Sequence, residues 1–343
     1  MSLAPGERAL LVASLPTGPR APVTTTPARR PGSVRRTTAI EERWDDFGKP
    51  RRVRASGRDL VTALDGSATV HNAASLSLVN DTSGAVEELT TSPPEPRLAG
   101  MAGVGVRSGF RAAAVALVPE HAERGSVLHQ LLDDVPLAAI IATYGLTREH
   151  PDWNIPPEAA ERLRDLCAGW ADGATMIGTL DATGIFPIPE GPPAPPLESA
   201  DDPLAWHELG PMERRTVRRV RRLDLWRVGG GALALEVYFR DSHLGPEGPE
   251  DVLHEYTVTA ALSADELRFT DVSAVAHTLP WPECPGALGS AGRAVGRTVD
   301  ELPAVVREDF TGTSTCSHLN DVLRSTVAVR AMAAVLPAAE GSS

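Results

Sequence analysis

Residues Ala74–Val79 alternate apolar and small polar side chains with the period of two that a half-buried strand requires, and Tyr256–Leu262 do the same. Ahead of each lies a second strand-like segment, Arg58–Leu64 in one case and Ala232–Phe239 in the other. Behind each, the chain turns a proline-containing corner, Pro93-Pro94-Glu95-Pro96 or Pro280-Trp281-Pro282-Glu283-Cys284-Pro285. The pattern then changes to apolar residues at helical spacing, opening at Ser126-Val127-Leu128-His129 and at Thr315-Cys316-Ser317-His318.

The same order of features occurs twice, which is the signature of an internal duplication. Arg35-Arg36-Thr37 opens the first copy and Arg214-Arg215-Thr216 the second. In this alignment His71 corresponds to His254, His129 to His318, and Asp65 to Asp241. The expected fold class is α+β: two repeated units, each an antiparallel sheet followed by helices packed on one face, related by a pseudo-twofold axis. Residues 1–34 lack periodicity and read as a flexible leader, 35–150 as the N-terminal repeat and 206–338 as the C-terminal repeat. Between them, 151–205 read as a helix and a proline-rich linker, the helix spanning Pro156–Thr179 with Ala160, Leu163, Leu166, Cys167 and Trp170 on one stripe. That helix runs into an extended linker containing Pro187, Pro189, Pro192, Pro193, Pro195 and Pro196.

Composition narrows the function classes. A chain of 343 residues can bury its cores without staples, and three cysteines, an odd and sparse set, suit a reducing cytoplasmic setting better than a disulfide framework. The apolar run Ala9–Leu15 is cut short by Pro16, Gly18 and Pro22, so it does not read as a signal peptide. No apolar stretch is long enough to suggest a membrane span. A net charge of −12 argues against nucleic acid and anionic lipid as partners. The exception is the run Arg214, Arg215, Arg218, Arg219, Arg221 and Arg222, which reads either as a solvated strand face or as a grip for a phosphate. Gly229-Gly230-Gly231 precedes a strand and Gly103-x-Gly105 lacks a third glycine, so no nucleotide cofactor is expected.

The C-terminal copy carries Arg214-Arg215-Thr216, Asp224-Leu225-Trp226, His254 before its strand, Glu283-Cys284-Pro285 and Cys316-Ser317-His318-Leu319. Together, over about Glu213–Leu336, these resemble the bacterial domain of unknown function 2889 family, and the N-terminal copy resembles it less closely. Where that family has a glycine before the cysteine, this chain has Thr315. The resemblance implies a fold unit and a weak link to small-molecule breakdown, with no assigned activity.

Three chemistries remain open for these residues. Cys316 at a helix start is a candidate thiolate nucleophile, since free N–H groups and the helix dipole favour the anion. With His254 or His318 it is also a candidate metal ligand, Asp241 or Asp321 orienting an imidazole or completing the shell. His254 with Asp241 could act in acid/base catalysis without the cysteine. Against these stands the plain reading of Cys316 as a small buried hydrophobe. Arg215 is the expected anion anchor, with Trp226, His71 and His129 as further substrate-binding candidates. Trp44, Trp226 and Trp281 are candidates to line a pocket, though core packing is the commoner use. The leading expectation is an enzyme acting on an apolar organic molecule or its thioester. The opposing one is a non-catalytic ligand-binding or scaffold protein.

Overall fold

The computed structural model describes residues 5–150 and 156–338. Eight antiparallel strands form one continuous sheet: β1 (Ser33–Trp44), β2 (Arg51–Thr62), β3 (Ala68–Asn80), β4 (Val86–Ser92), β5 (Thr216–Val228), β6 (Ala232–Leu244), β7 (Asp251–Ser263) and β8 (Phe269–Thr278). Their order is β4-β3-β2-β1-β5-β6-β7-β8, two four-stranded meanders joined through β1 and β5. Helices α2 (Phe110–Leu117), α3 (Pro119–Arg124) and the long α4 (Val127–Glu149) follow the first meander, and α7 (Leu302–Asp309), α8 (Ser317–Ser325) and α9 (Val329–Ala334) follow the second.

Two apolar clusters lie under the helices. Ile40, Val53, Leu76, Leu78 and Phe110 pack with Leu131, Leu132 and Val135 of α4. Leu223, Leu235, Val237 and Tyr256 pack with Leu319, Val322 and Met332. Alternation on each strand sends one set of side chains to this face.

The central strand β5 departs from a purely apolar alternation. Arg219 and Arg221 point to the helix face, where α4 supplies Asp134 and α8 supplies Asp321. Arg218 and Arg222 serve the opposite face, where Glu41, Asp224 and Glu236 receive them. From Arg218 to Arg222 the arginine run is therefore a buried ion-pair seam, neither solvated nor free to grip a phosphate: Arg219 is 2% exposed and Arg221 fully buried, while Arg214 and Arg215 lie toward the surface. Each guanidinium is matched by carboxylates, as burial of a charge requires.

Several expectations are corrected here. The leader is not loose over its described part: after α1 (Pro5–Ser14) the chain docks on the sheet edge, with Ala21 donating to His277 O at 2.9 Å and Leu279 to Pro19 O at 3.0 Å. Arg29 further clasps Asp202. The amphipathic helix expected at 156–179 is broken into α5 (Pro157–Leu163) and α6 (Thr175–Thr183), because Asp165 takes a positive φ and a short 3₁₀ turn at Ala168–Trp170 intervenes. The proline-rich stretch packs beside β7, Val252 donating to Pro192 O at 2.9 Å. The two expected bodies thus share one sheet.

Candidate metal and ligand site

A row of three polar side chains crosses the second meander. Arg219 on β5 stands opposite Asp241 on β6, and Asp241 opposite His254 on β7. Directly beyond the Asp241–His254 pair the register shifts and β7 bulges, so Leu253 is the extra residue. Arg219 grips Asp241 with two parallel hydrogen bonds, Nε to Oδ1 at 2.7 Å and Nη2 to Oδ2 at 2.8 Å. Its third nitrogen, Nη1, donates to Asp321 Oδ2 at 2.6 Å. Arg221 shares that Asp321 oxygen at 2.7 Å and also reaches Asp134 at 2.8 Å.

His318 descends on this row from the first turn of α8. Its ring stacks on His254 with centroids 3.6 Å apart and continues over Phe239, parallel to it at 6.5 Å. Asp241 Oδ2 lies 3.3 Å from His254 Nδ1 and 3.9 Å from His318 Nε2. The 3.3 Å approach is out of line for a hydrogen bond, and the buried Nδ1 atom has no hydrogen-bond partner. Tyr144, from α4, sets its ring edge-on to His254 at 6.0 Å.

Electrostatics sort the charges. Burial works against the Asp241 carboxylate, yet the Arg219 guanidinium and the His254 contact outweigh it and hold it well below the usual carboxylate range. Asp321 is brought down to about 2, burial being overcome by Arg221 and Arg219. Burial and the adjacent His254 push His318 well below 6.5, so its imidazole stays neutral with a lone pair to offer.

Asp241, His254 and His318 together place three ligand atoms within 4.8 Å of one another. Around a tetrahedral ion with bonds of about 2.0–2.2 Å, ligand atoms sit roughly 3.3–3.6 Å apart. The separations of 3.3 and 3.9 Å are close to that spacing. Two imidazoles and a carboxylate are a donor set suited to zinc or ferrous iron.

Cys316 adjoins this cluster without the character expected of a helix-start thiolate. It is the N-cap of α8, but burial raises its pKa in spite of the Tyr256 hydroxyl donated to Sγ at 3.3 Å. His318 Nδ1 is 4.0 Å from Sγ, a marginal contact. Cys167 and Cys284 gather nearby, and burial pushes the Cys167 thiol up to about 12.

The remaining candidates lie elsewhere. Arg215 has a positive φ and turns outward to Asp45 O and Glu149. Trp226 carries the Arg30 guanidinium on its ring, 4.4 Å from the centroid, at the far end of β5. His71 is an exposed bulge residue on β3, where Asn72 and not His71 stands opposite Asp59. His129 faces a separate cleft beside Gln130 and Arg324. Trp44 and Trp281 are core residues, 0% and 1% exposed. Asp321, the expected alternative to Asp241, instead receives Arg219 and Arg221, while Tyr144 was absent from the sequence-based set. Arg219 carried a signal in the paired arginines of β5, whereas nothing local marked Tyr144.

A cavity of about 630 Å³ reaches the cluster at His318, with Ser317, Tyr144, Cys167, Trp170 and Phe186 also in its wall. This volume is within the range of small-molecule sites. No helix among the described residues is long and apolar enough to cross a membrane.

Residues 217–332, nearly all of the second meander and the helices after it, match the family described as "Protein of unknown function (DUF2889)". The match takes in Arg219, Asp241, His254, Cys316 and His318. No curated protein and no solved structure matched the chain.

Proposed function

We propose that this protein is a cytoplasmic metal-dependent enzyme of small-molecule metabolism, hydrolytic in type, with Asp241, His254 and His318 as ligands. The observation that carries the proposal is the convergence of three ligand atoms in a buried cluster, one of whose histidines borders the cavity. A divalent cation there would lower the pKa of a coordinated water toward neutrality and polarise a substrate carbonyl. In a hydrolysis so assisted, water would supply the hydroxyl of the acid product and a proton to the leaving group. Arg219 is a positioning residue that fixes the Asp241 carboxylate from behind, the arrangement by which outer partners orient metal ligands. Cys316 is a packing residue in this reading.

The proposal includes an internal duplication with a pseudo-twofold axis between β1 and β5. Arg36 grips Asp59 at 2.6 and 2.7 Å as Arg219 grips Asp241, and a register shift follows each aspartate. Arg35 reaches Asp224 across the β1–β5 seam, and Arg218 reaches Glu41 in the opposite sense. The first copy keeps the arginine–aspartate brace, while Asn72 takes the place of His254. Its role is then structural, and it lends Tyr144 and Asp134 to the second copy's site.

Metal content by mass spectrometry after zinc or ferrous loading and gel filtration tests the assignment. One equivalent is expected in wild type and Cys316→Ala, and none in folded His254→Ala or His318→Ala. A wild-type protein that retains no metal overturns the metal reading, and so does retention by both histidine variants.

A further inference from the structure

We infer that the cavity beside His318 binds a small molecule with an apolar, flat body and a single anionic group, and that Arg107 with Arg51 holds the anion. This deepens the enzyme reading by naming the substrate class, and it rests on the cavity being the substrate chamber. The body of the ligand is dictated by the wall. Leu137, Ile140, Tyr144, Leu166 and Trp170 line it, and Ile140 and Leu166 are 40% and 51% exposed, apolar surface left at the water boundary. A planar apolar ligand would cover it.

The anion is dictated by charge. Lys49, Arg51, Arg107 and Arg162 all line this cavity against one acidic side chain, Asp46, on a chain whose net charge is −12. Behind them, Arg51 spends one bond on buried Glu42, Nη1 to Oε1 at 2.9 Å, and the other Glu42 oxygen has no hydrogen-bond partner. One carboxylate therefore faces two guanidiniums. Arg107 is fixed to α4 by donating to Ala139 O at 3.0 Å and to Thr143 Oγ1, so the guanidinium is held in place before a ligand arrives. A tethered arginine beside a second arginine is a receptor for a carboxylate, sulfonate or phosphate oxygen pair.

A pair of fluorescent probes separates body from charge: 1-anilinonaphthalene-8-sulfonate, and N-phenyl-1-naphthylamine, which has the same rings without the sulfonate. Titrations are run on chelator-treated protein and repeated with zinc, so that failure of metal binding and failure of anion recognition give different results. The sulfonate is expected to bind roughly tenfold tighter than the neutral probe, with Arg107→Gln erasing that preference and leaving the neutral probe unchanged. Ile140→Asp is expected to weaken both. Equal affinity for the two probes, an unchanged preference in Arg107→Gln, or indifference of both probes to Ile140→Asp would each overturn the inference.

Discussion

His254 and His318 stack face to face at 3.6 Å, one ring held by a strand and the other by the first turn of a helix. Two imidazolium cations could not rest in that arrangement, and burial keeps His318 neutral. The stack is stable because Asp241, held ionised by Arg219, stands beside both rings. The site therefore depends on a residue whose hydrogen bonds go to Asp241 and Asp321 and to neither histidine.

That dependence predicts the behaviour of Arg219→Met. The side chain is almost fully buried and supports two aspartates at once, so removing it strands Asp241 and leaves Asp321 with less support. The expected loss is about 3–5 kcal/mol in urea denaturation. Arg219→Lys keeps the charge but not the two-point grip; a folded variant is expected to bind zinc roughly 10- to 100-fold more weakly. Unchanged zinc affinity in a folded Arg219→Lys protein would show that the brace is structural only.

The strands and the order of elements were legible in the sequence because period-two alternation survives in β3 and β7 whatever packs above them. Asp241, His254, Cys316 and His318 were legible through their spacing around strand and helix starts. The residues beneath them were not. Arg219 sits in a run of arginines that looks solvated until α8 brings Asp321 to it and α4 brings Asp134 to its neighbour Arg221, contacts 102 and 87 residues apart in the chain. His71 was matched to His254 because bulges are invisible in sequence; β3 and β7 bulge at the same point, so that His71 corresponds to Leu253 and Asn72 to His254. The leader's docking is set by backbone hydrogen bonds to the β8 edge, which no side-chain pattern announces.

All three cysteines are buried, and burial raises the pKa of each. Native protein is therefore expected to react slowly with 5,5′-dithiobis(2-nitrobenzoate), at a rate governed by opening, and to release three thiols promptly in denaturant. One fast-reacting thiol in the native state, lost in Cys316→Ala, would restore the nucleophile that the structure argues against.

His207 predicts an acid-sensitive stability. Its ring is buried between Ser56 and Thr37 hydroxyls, and burial together with Arg58 and Arg218 lowers its pKa to about 4. Unfolded, the same group takes up a proton near its ordinary 6.5. Below that value the unfolded chain binds the proton and the folded chain does not. The contribution is thus whole above about pH 6.5 and is lost progressively down to about pH 4, on the order of 3 kcal/mol in all. Denaturation midpoints compared over that window should fall more steeply for wild type than for His207→Gln, and parallel slopes would refute the assignment.

Gly191 fixes the proline-rich segment against the strand that carries His254. A Cβ at this position would come within 1.8 Å of Val252 O, a backbone atom that cannot swing aside. The same glycine donates its N–H to Asp251 Oδ2 at 2.8 Å, and Pro192 accepts from Val252, so the segment is laced to the opening of β7. Gly191→Ala must either lift the segment or displace Val252, two residues before His254. A loss of about 1–3 kcal/mol is expected, read as a lowered Tm, together with weakened zinc binding. Gly286→Ala, where an added Cβ meets nothing within 4 Å, is the control and should change stability by no more than about 0.5 kcal/mol. If Gly191→Ala matched that control, the close approach of the segment to β7 would not hold in solution.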